Sequence, residues 1–199
     1  MKKCLILDYG VGNVASVRTF FRENNYIVTL GNDIHDIENT DLLILPGVGS
    51  FKTAAGNMNK DGIAKEIQNR HSVNMPILGI CLGFQLLTIK SAESPTSVGL
   101  GIFNGVTTRL NEFSRIGWGK LDFDNDKNLL SDDYFYFNHS FGTYDVLNSG
   151  ISAFSGVSKY RALVIEDNTV GVQFHPERSQ KSGKKFLGWL EEEIWNLDD

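Results

Sequence analysis

The residues best suited to covalent chemistry lie in two short segments. In "GICLGFQLL" (79–87) Cys81 stands between Gly79 and Gly83, directly after an apolar run. This is the G-x-S-x-G nucleophile elbow with cysteine in place of serine. The glycines let a strand turn sharply into a helix and leave the apex side chain exposed at the C-terminal edge of a sheet. A helix N-terminus at that point favours the thiolate, the nucleophilic form of the side chain, and the Leu82 N–H points at the oxyanion that forms on an attacked carbonyl. In "GVQFHPERS" (171–179) His175 and Glu177 flank Pro176 at the end of a strand-like run. Proline drives the preceding residue into an extended conformation, and residues i and i+2 of an extended segment point to the same side, about 6.5–7 Å apart along the chain. Glu177 is therefore expected to reach back and orient the His175 ring, the base-plus-orienter half of a triad.

Two glycine-rich turns add to this. "ILPGVGSF" (44–51) ends a strand in Gly47-Val48-Gly49, a loop able to lay backbone N–H groups against an anion or carbonyl oxygen. "LILDYGVGNVASV" (5–17) spells G-x-G-x-x-A through Gly10, Gly12 and Ala15, with Asp33 about 20 residues further on, the dinucleotide-binding fingerprint. The run "YIVTL" stops at Leu30, however, so Asp33 lies beyond the strand end that should carry the ribose-binding acid, and the chain leaves little room for a second substrate domain. The glycines are expected to serve a tight strand-to-helix turn. Cys4, inside the first apolar run, reads as a small buried hydrophobe. His35 and His71 sit in polar stretches and receive no role, and no Cys/His/Asp cluster has metal-ligand spacing, so neither metal nor cofactor is expected.

These residues must be positioned by a scaffold, and the first half of the chain supplies one. Strands are expected at 3–8, 26–30, 41–46 and 75–80, and helices at 14–24, twice across 51–71, and at 83–90. Continuous apolar strands alternating with helices predict an α/β fold of three layers, a mostly parallel sheet with helices on both faces. The second half is strand-rich (105–110, 118–124, 133–138, 152–157, 160–167 and 169–174), an antiparallel extension whose last two strands form a hairpin around Glu166-Asp167-Asn168. A final helix at about 182–196 places Phe186, Leu190, Ile194 and Leu197 on one face. With 199 residues, no repeat and no low-complexity linker, residues 1–199 are expected to form a single domain.

Composition narrows the partners. Hydrophobic residues make up 41% and charged residues 22% of the chain, ordinary for a soluble protein. A net charge of −5 without a Lys/Arg cluster argues against nucleic acid and anionic membrane. No apolar run approaches the roughly 20 residues of a membrane span. Asp8 interrupts the N-terminal run too early for a signal peptide. Two cysteines make no disulfide scaffold, which points to a reducing cytoplasm.

Taken together, "PGVGSF", "GICLGFQLL" and "GVQFHPERS" closely resemble the class I (triad) glutamine amidotransferases, whose fold is flavodoxin-like. Adding "DYGVGN", "GLGIF" and "FYFNHSF" narrows the likeness to the glutaminase subunit of imidazole glycerol phosphate synthase, the HisH family of histidine biosynthesis. The resemblance runs from residue 5 to about 190. It implies that Cys81 attacks the carboxamide of glutamine to form a glutamyl thioester. His175 then protonates the leaving ammonia and activates water, and Glu177 orients His175. Amide groups of Gly47, Val48, Gly49 and Leu82 would hold the oxyanion. Gln85 and Glu93 would grip the amino-acid end of glutamine, and Ser140-Phe141 would complete the pocket. No cofactor is implied. Ammonia would pass to a (β/α)8-barrel synthase subunit docked over the site, with Asn13, Trp118, Tyr136 and Arg178 at the interface, and activity would be low until that partner binds.

The chain departs from the family at two interface positions. Relatives usually read His-Pro-Glu-Lys-Ser where this chain has Arg178, and Pro-His-Met-Gly-Trp-Asn where it reads Ser114-Arg115-Ile116-Gly117-Trp118-Gly119. Arginine and lysine are not equivalent at such positions. Both departures leave the triad intact and bear on the partner. The alternative they keep open is a paralogous glutaminase that supplies ammonia for sugar amidation in surface-polysaccharide or flagellin-glycan synthesis.

Overall fold

A computed structural model describes residues 1–197 except 11–12, 61, 111–113, 124–128, 148–149 and 156–157. Its centre is a parallel block in the order β2 (Ile27–Gly31), β1 (Lys3–Leu7), β3 (Leu42–Leu45), β4 (Ile77–Ile80) and β12 (Thr169–Val172). β3 and β4 are apolar and buried at every position because both faces are covered, as is β1 after Lys3, whereas β2 is a largely exposed edge strand. Cys4, Ile6, Leu42, Ile44 and Ile80 point into one core, with α1 (Val14–Glu23) and α6 (Gln180–Glu193). Leu5, Leu7, Leu43, Leu45 and Ile77 point into the other, beneath α2 (Ile34–Asn39), α3 (Phe51–Met58), α4 (Ile63–Ser72) and α5 (Leu82–Leu87). The helices follow their apolar spacing: Val17, Phe20 and Phe21 of α1 are buried at i, i+3 and i+4, and Phe186 and Leu190 of α6 at i and i+4.

Beyond β12 the sheet turns antiparallel through β11 (Ser158–Glu166), β10 (Ile151–Ser155), β7 (Arg115–Phe123) and β8 (Tyr134–His139). β11 and β12 form the expected hairpin, with Glu166 opposite Thr169 and Asp167 at φ 51°. A branch leaves β11 through β9 (Phe141–Leu147) to β6 (Phe103–Arg109) and β5 (Thr88–Ser91).

Three features differ from the sequence expectation. The helix expected at 83–90 ends at Leu87, and residues 88–91 are β5. The carbonyls that a longer helix would use are taken from outside: Leu100 N–H donates to Leu86, Gly101 to Thr88 and Gly99 to Ile89, while the Thr88 hydroxyl donates back to the Gln85 carbonyl. β9 escapes the periodicity because Gly142 and Asp145 dilute its pattern. The short α2 begins at Asp33, whose carboxylate accepts from His35 N–H; Asp33 is thus a helix cap and not a ribose ligand.

Arg70 carries a guanidinium into the core. Arg70 of α4, 2% exposed, donates to the carbonyls of Pro76, Ile37, Thr40 and Asp41 at 2.8–3.2 Å. It stitches the start of β4 to the α2–β3 connection, and burial lowers its pKa to about 10 against the raising effect of Asp41 and Glu66.

Candidate active site

The C-terminal ends of β1, β3, β4 and β12 converge on one edge of the sheet, where ligands of open α/β sheets bind. At the end of β4, Cys81 adopts φ 52°, ψ −100°, a left-handed conformation costly for a residue with a Cβ. Its N–H donates to the Val172 carbonyl of β12 at 2.7 Å, and its own carbonyl accepts from Gln85 N–H. The elbow glycines are required by contact. A Cβ on Gly83 would stand 2.0 Å from the Leu45 carbonyl oxygen, and one on Gly79 2.8 Å from the Gly83 backbone.

His175 follows β12. It is extended (φ −105°, ψ 94°), as its proline neighbour requires, but Pro176–Arg178 form a 3-10 turn and do not continue the strand. The expected partnership forms nonetheless: His175 Nδ1 lies 2.8 Å from Glu177 Oε1, with both side chains buried. Burial would lower the His175 pKa, but the neighbouring Cys81 sulfur and the Glu177 carboxylate outweigh it and carry it up to about 10. Nε2 and Glu177 Oε2 make no hydrogen bond among the described residues. The Nδ1–H donated to the carboxylate fixes the ring and leaves Nε2 to exchange protons with a reacting group.

The turn after β3 is seated against the elbow. A Cβ on Gly47 would meet the Ile80 carbonyl oxygen at 1.7 Å and Leu82 N at 2.7 Å; Gly49 has φ +133° and Val48 is exposed. Gly47 therefore packs directly against the elbow backbone at Ile80 and the Leu82 amide. The buried Tyr9 hydroxyl at the end of β1 donates to the Pro46 carbonyl, anchoring this turn from below. Glu93 Oε1 accepts from Phe51 N–H at 3.0 Å, which places it at the far side of the same turn. Gln85 Nε2 donates to the Phe141 carbonyl at 3.1 Å, and Ser140 Oγ lies 2.7 Å from Ser114 Oγ.

Three of the interface candidates form one cluster. Trp118 of β7 and Tyr136 of β8 are cross-strand partners with ring centroids 5.9 Å apart, and the Arg178 guanidinium lies 5.8 Å from the Tyr136 ring. Ile116, Trp118 and Tyr134 are exposed on this outer face. Asn13 stands at the N-terminus of α1, where its amide donates to Ser16 Oγ, and α1 packs against the Pro176–Arg178 turn that carries Arg178. Inward from the ladder, Arg115 donates to the Trp118 carbonyl, and a Cβ on Gly119 would come within 2.6 Å of its guanidinium. Two of the four departures in the "SRIGWG" segment are thus coupled: glycine at 119 makes room for arginine at 115.

Residues 5–191 match the family model for glutamine amidotransferase class-I. The chain belongs to the class I glutamine amidotransferases. Among its relatives, the imidazole glycerol phosphate synthase subunit HisH of Lactococcus lactis is 38% identical over 203 aligned residues, covering 98% of this chain and 100% of the relative. The HisH subunit of Caldanaerobacter subterraneus is also 38% identical, covering 92% and 94%. Of solved structures, a glutamine amidotransferase superposes with a TM-score of 0.78 at 17% identity over 94% of this chain and 97% of the other. PurLQS from Thermotoga maritima gives 0.70 at 20% identity over 96% and 100%.

Within this amidotransferase site, two buried polar residues were not singled out from the sequence. His139 of β8 donates or accepts at both nitrogens, to the Phe141 carbonyl at 2.7 Å and to Tyr160 Oη at 3.0 Å, and burial lowers its pKa to about 4. Gln173 lies between Cys81 and Gln85. Each is a polar residue in an apolar strand run, "FYFNH" and "TVGVQF", which is the signal that could have found it. Cys4 is in the core as expected, with burial raising its pKa to about 12, and His71 is half-buried against Thr169.

Proposed function

We propose that this chain is the glutaminase subunit of an imidazole glycerol phosphate synthase, hydrolysing L-glutamine and passing the ammonia to a synthase partner in the cytoplasm. The observation that carries the reading is the near-full-length likeness to HisH subunits in a chain whose Cys81, His175 and Glu177 converge on one sheet edge. The relatives' names favour histidine biosynthesis over the glycan-amidating alternative.

In this reading the Cys81 thiolate attacks the side-chain carboxamide carbon of glutamine, and the carbonyl π pair moves to oxygen. The amides of Leu82 and the 47–49 turn hold that oxyanion, a contribution of about 3–4 kcal/mol for one such donor. His175 Nε2–H protonates the amine as the C–N bond breaks, releasing ammonia and leaving a glutamyl thioester. Neutral His175 then takes a proton from water, the hydroxide adds to the thioester, and the C–S bond breaks to give glutamate and the thiolate. Glu177 keeps Nδ1 protonated and Nε2 free in both halves. Gln85, Glu93, Ser140 and Phe141 surround the amino-acid end. The aromatic ladder of Trp118 and Tyr136 with Arg178 receives a (β/α)8-barrel partner, and Asn13 borders the ammonia exit.

The test is glutamate release by the chain with and without its cyclase partner. Turnover is expected to rise on adding the partner, to vanish in Cys81→Ala, and to fall by about 10²–10⁴ in His175→Ala. Unchanged release from either variant refutes the assignment.

A further inference from the structure

Gln173 is fully buried and hydrogen-bonds on two sides. Its Nε2 lies 3.5 Å from Cys81 Sγ, and its Oε1 lies 3.3 Å from Gln85 Nε2, which in turn lies 3.1 Å from the Phe141 carbonyl oxygen. A carboxamide can be turned end for end without changing shape, so its direction must come from a group of fixed polarity. The Phe141 carbonyl is such a group. It only accepts, so Gln85 must present its NH2 there. The same NH2 faces Gln173, which must answer with its oxygen, and the Gln173 NH2 is then committed to the sulfur. Cys81 Sγ is therefore an acceptor in this chain, and a sulfur that accepts from N–H is favoured as the thiolate. The carbonyl placed to take a proton from the thiol, that of Asn138, lies further away at 3.9 Å.

We propose that Gln173 is a positioning residue for the nucleophile, holding the Cys81 sulfur by an N–H donation whose direction is imposed, through Gln85, by the Phe141 carbonyl. The proposal rests on the glutaminase reading and deepens it, because the thiol and the pocket for glutamine share one hydrogen-bond direction. The other titratable groups that act on the sulfur are His175 after β12, itself paired with Glu177, and Tyr9 after β1. Beyond His175 stand His139 on β8 and Arg115 on β7.

The test reads the thiol itself. Iodoacetamide alkylation of the full chain is followed as a function of pH by peptide mass spectrometry, with the buried Cys4 in the same map reporting that the fold is intact. Gln173→Glu keeps the size and offers oxygen, charged when ionised, to the sulfur; Gln173→Met keeps the length and removes the donor. The Cys81 alkylation midpoint is expected to rise by about one pH unit or more in Gln173→Glu and by less in Gln173→Met. The kcat for glutamate release is expected to fall about tenfold or more, with KM changing less than about threefold. Midpoints within about 0.2 pH unit of the parent in folded variants overturn the proposal. So does a Gln173 side-chain amide resonance, recorded on the unmutated protein, that stays still while Cys81 titrates. Glutamate release surviving in Cys81→Ala would instead overturn the glutaminase reading and leave the titration to decide the role of Gln173.

Discussion

The buried histidine of β8 illustrates how much a single residue can set. His139 is held neutral because burial disfavours its charged form, and the nearby His175 and Arg115 add to this against the Phe141 carbonyl. A neutral ring that meets a carbonyl at Nδ1 must donate there, so Nε2 accepts and the Tyr160 hydroxyl donates to it. The Phe141 carbonyl is thereby fixed by two donors, His139 and Gln85. The pH consequence has a definite sign. A folded pKa of about 4 lies below the 6.5 of the unfolded chain, so the unfolded state binds the extra proton. Stability from this group is present above pH 6.5 and is lost as the pH falls toward about 4, by up to about 3 kcal/mol. Urea midpoints of the parent and of His139→Gln, measured across that range, should converge as the pH drops. A pH-independent gap between them would contradict the neutral ring. Cys81, His175 and Glu177 were legible in the sequence because each sits in a short pattern with a geometric meaning. His139 and Gln173 carry only the weaker signal of a polar residue in an apolar strand run, and what each bonds to follows only when its neighbours across the sheet are known.

At the scale of elements, the site depends on strand ends held in register by connections that never touch it. Arg70 is the clearest case: one guanidinium satisfies carbonyls from α2, from the two residues before β3 and from the residue before β4. Arg70→Met would strand those carbonyls in the core and is expected to destabilise the fold by about 3–5 kcal/mol in chemical denaturation. Glutamate turnover per folded molecule should be unaffected; a loss in kcat as well would mean that Arg70 reaches the site through β4. The parallel block was readable because apolar runs covered on both faces alternate with amphipathic helices. The end of α5 was not readable: "LLTIK" can continue a helix, and strand β5 wins only because the 99–101 segment takes the carbonyls of 86, 88 and 89. Asp33 matches the spacing of a ribose acid yet caps α2, since a helix cap and a ribose ligand ask for the same residue type.

For the whole molecule, the decisive fact is the pairing of β4 with β12, which brings residues 92 to 94 apart in the chain onto neighbouring strand ends. Periodicity proposes strands but does not order them, so this neighbourhood was reached from the sequence only through the family resemblance. The antiparallel extension then presents the ladder of Trp118 and Tyr136, with Trp118 45% exposed and packed edge-on to Tyr136. Trp118→Ala should leave the isolated chain nearly as stable and weaken its complex with the synthase partner by about 30-fold, near 2 kcal/mol, in calorimetric titration. Equal affinities would remove this face from the interface. The glycine contacts described above also divide the chain by what a second mutation can repair. At Gly119 the obstacle to a Cβ is the Arg115 side chain, so Gly119→Ala should destabilise alone and be rescued by Arg115→His. At Gly47 and Gly83 the obstacles are the backbone carbonyls of Ile80 and Leu45, which no substitution elsewhere can delete. In a pairwise mutational scan, position 119 should show strong epistasis with 115. Positions 47 and 83 should show none, because every variant there is already lost: the ladder can drift with its partner, while the interlocked turns of the site cannot drift at all.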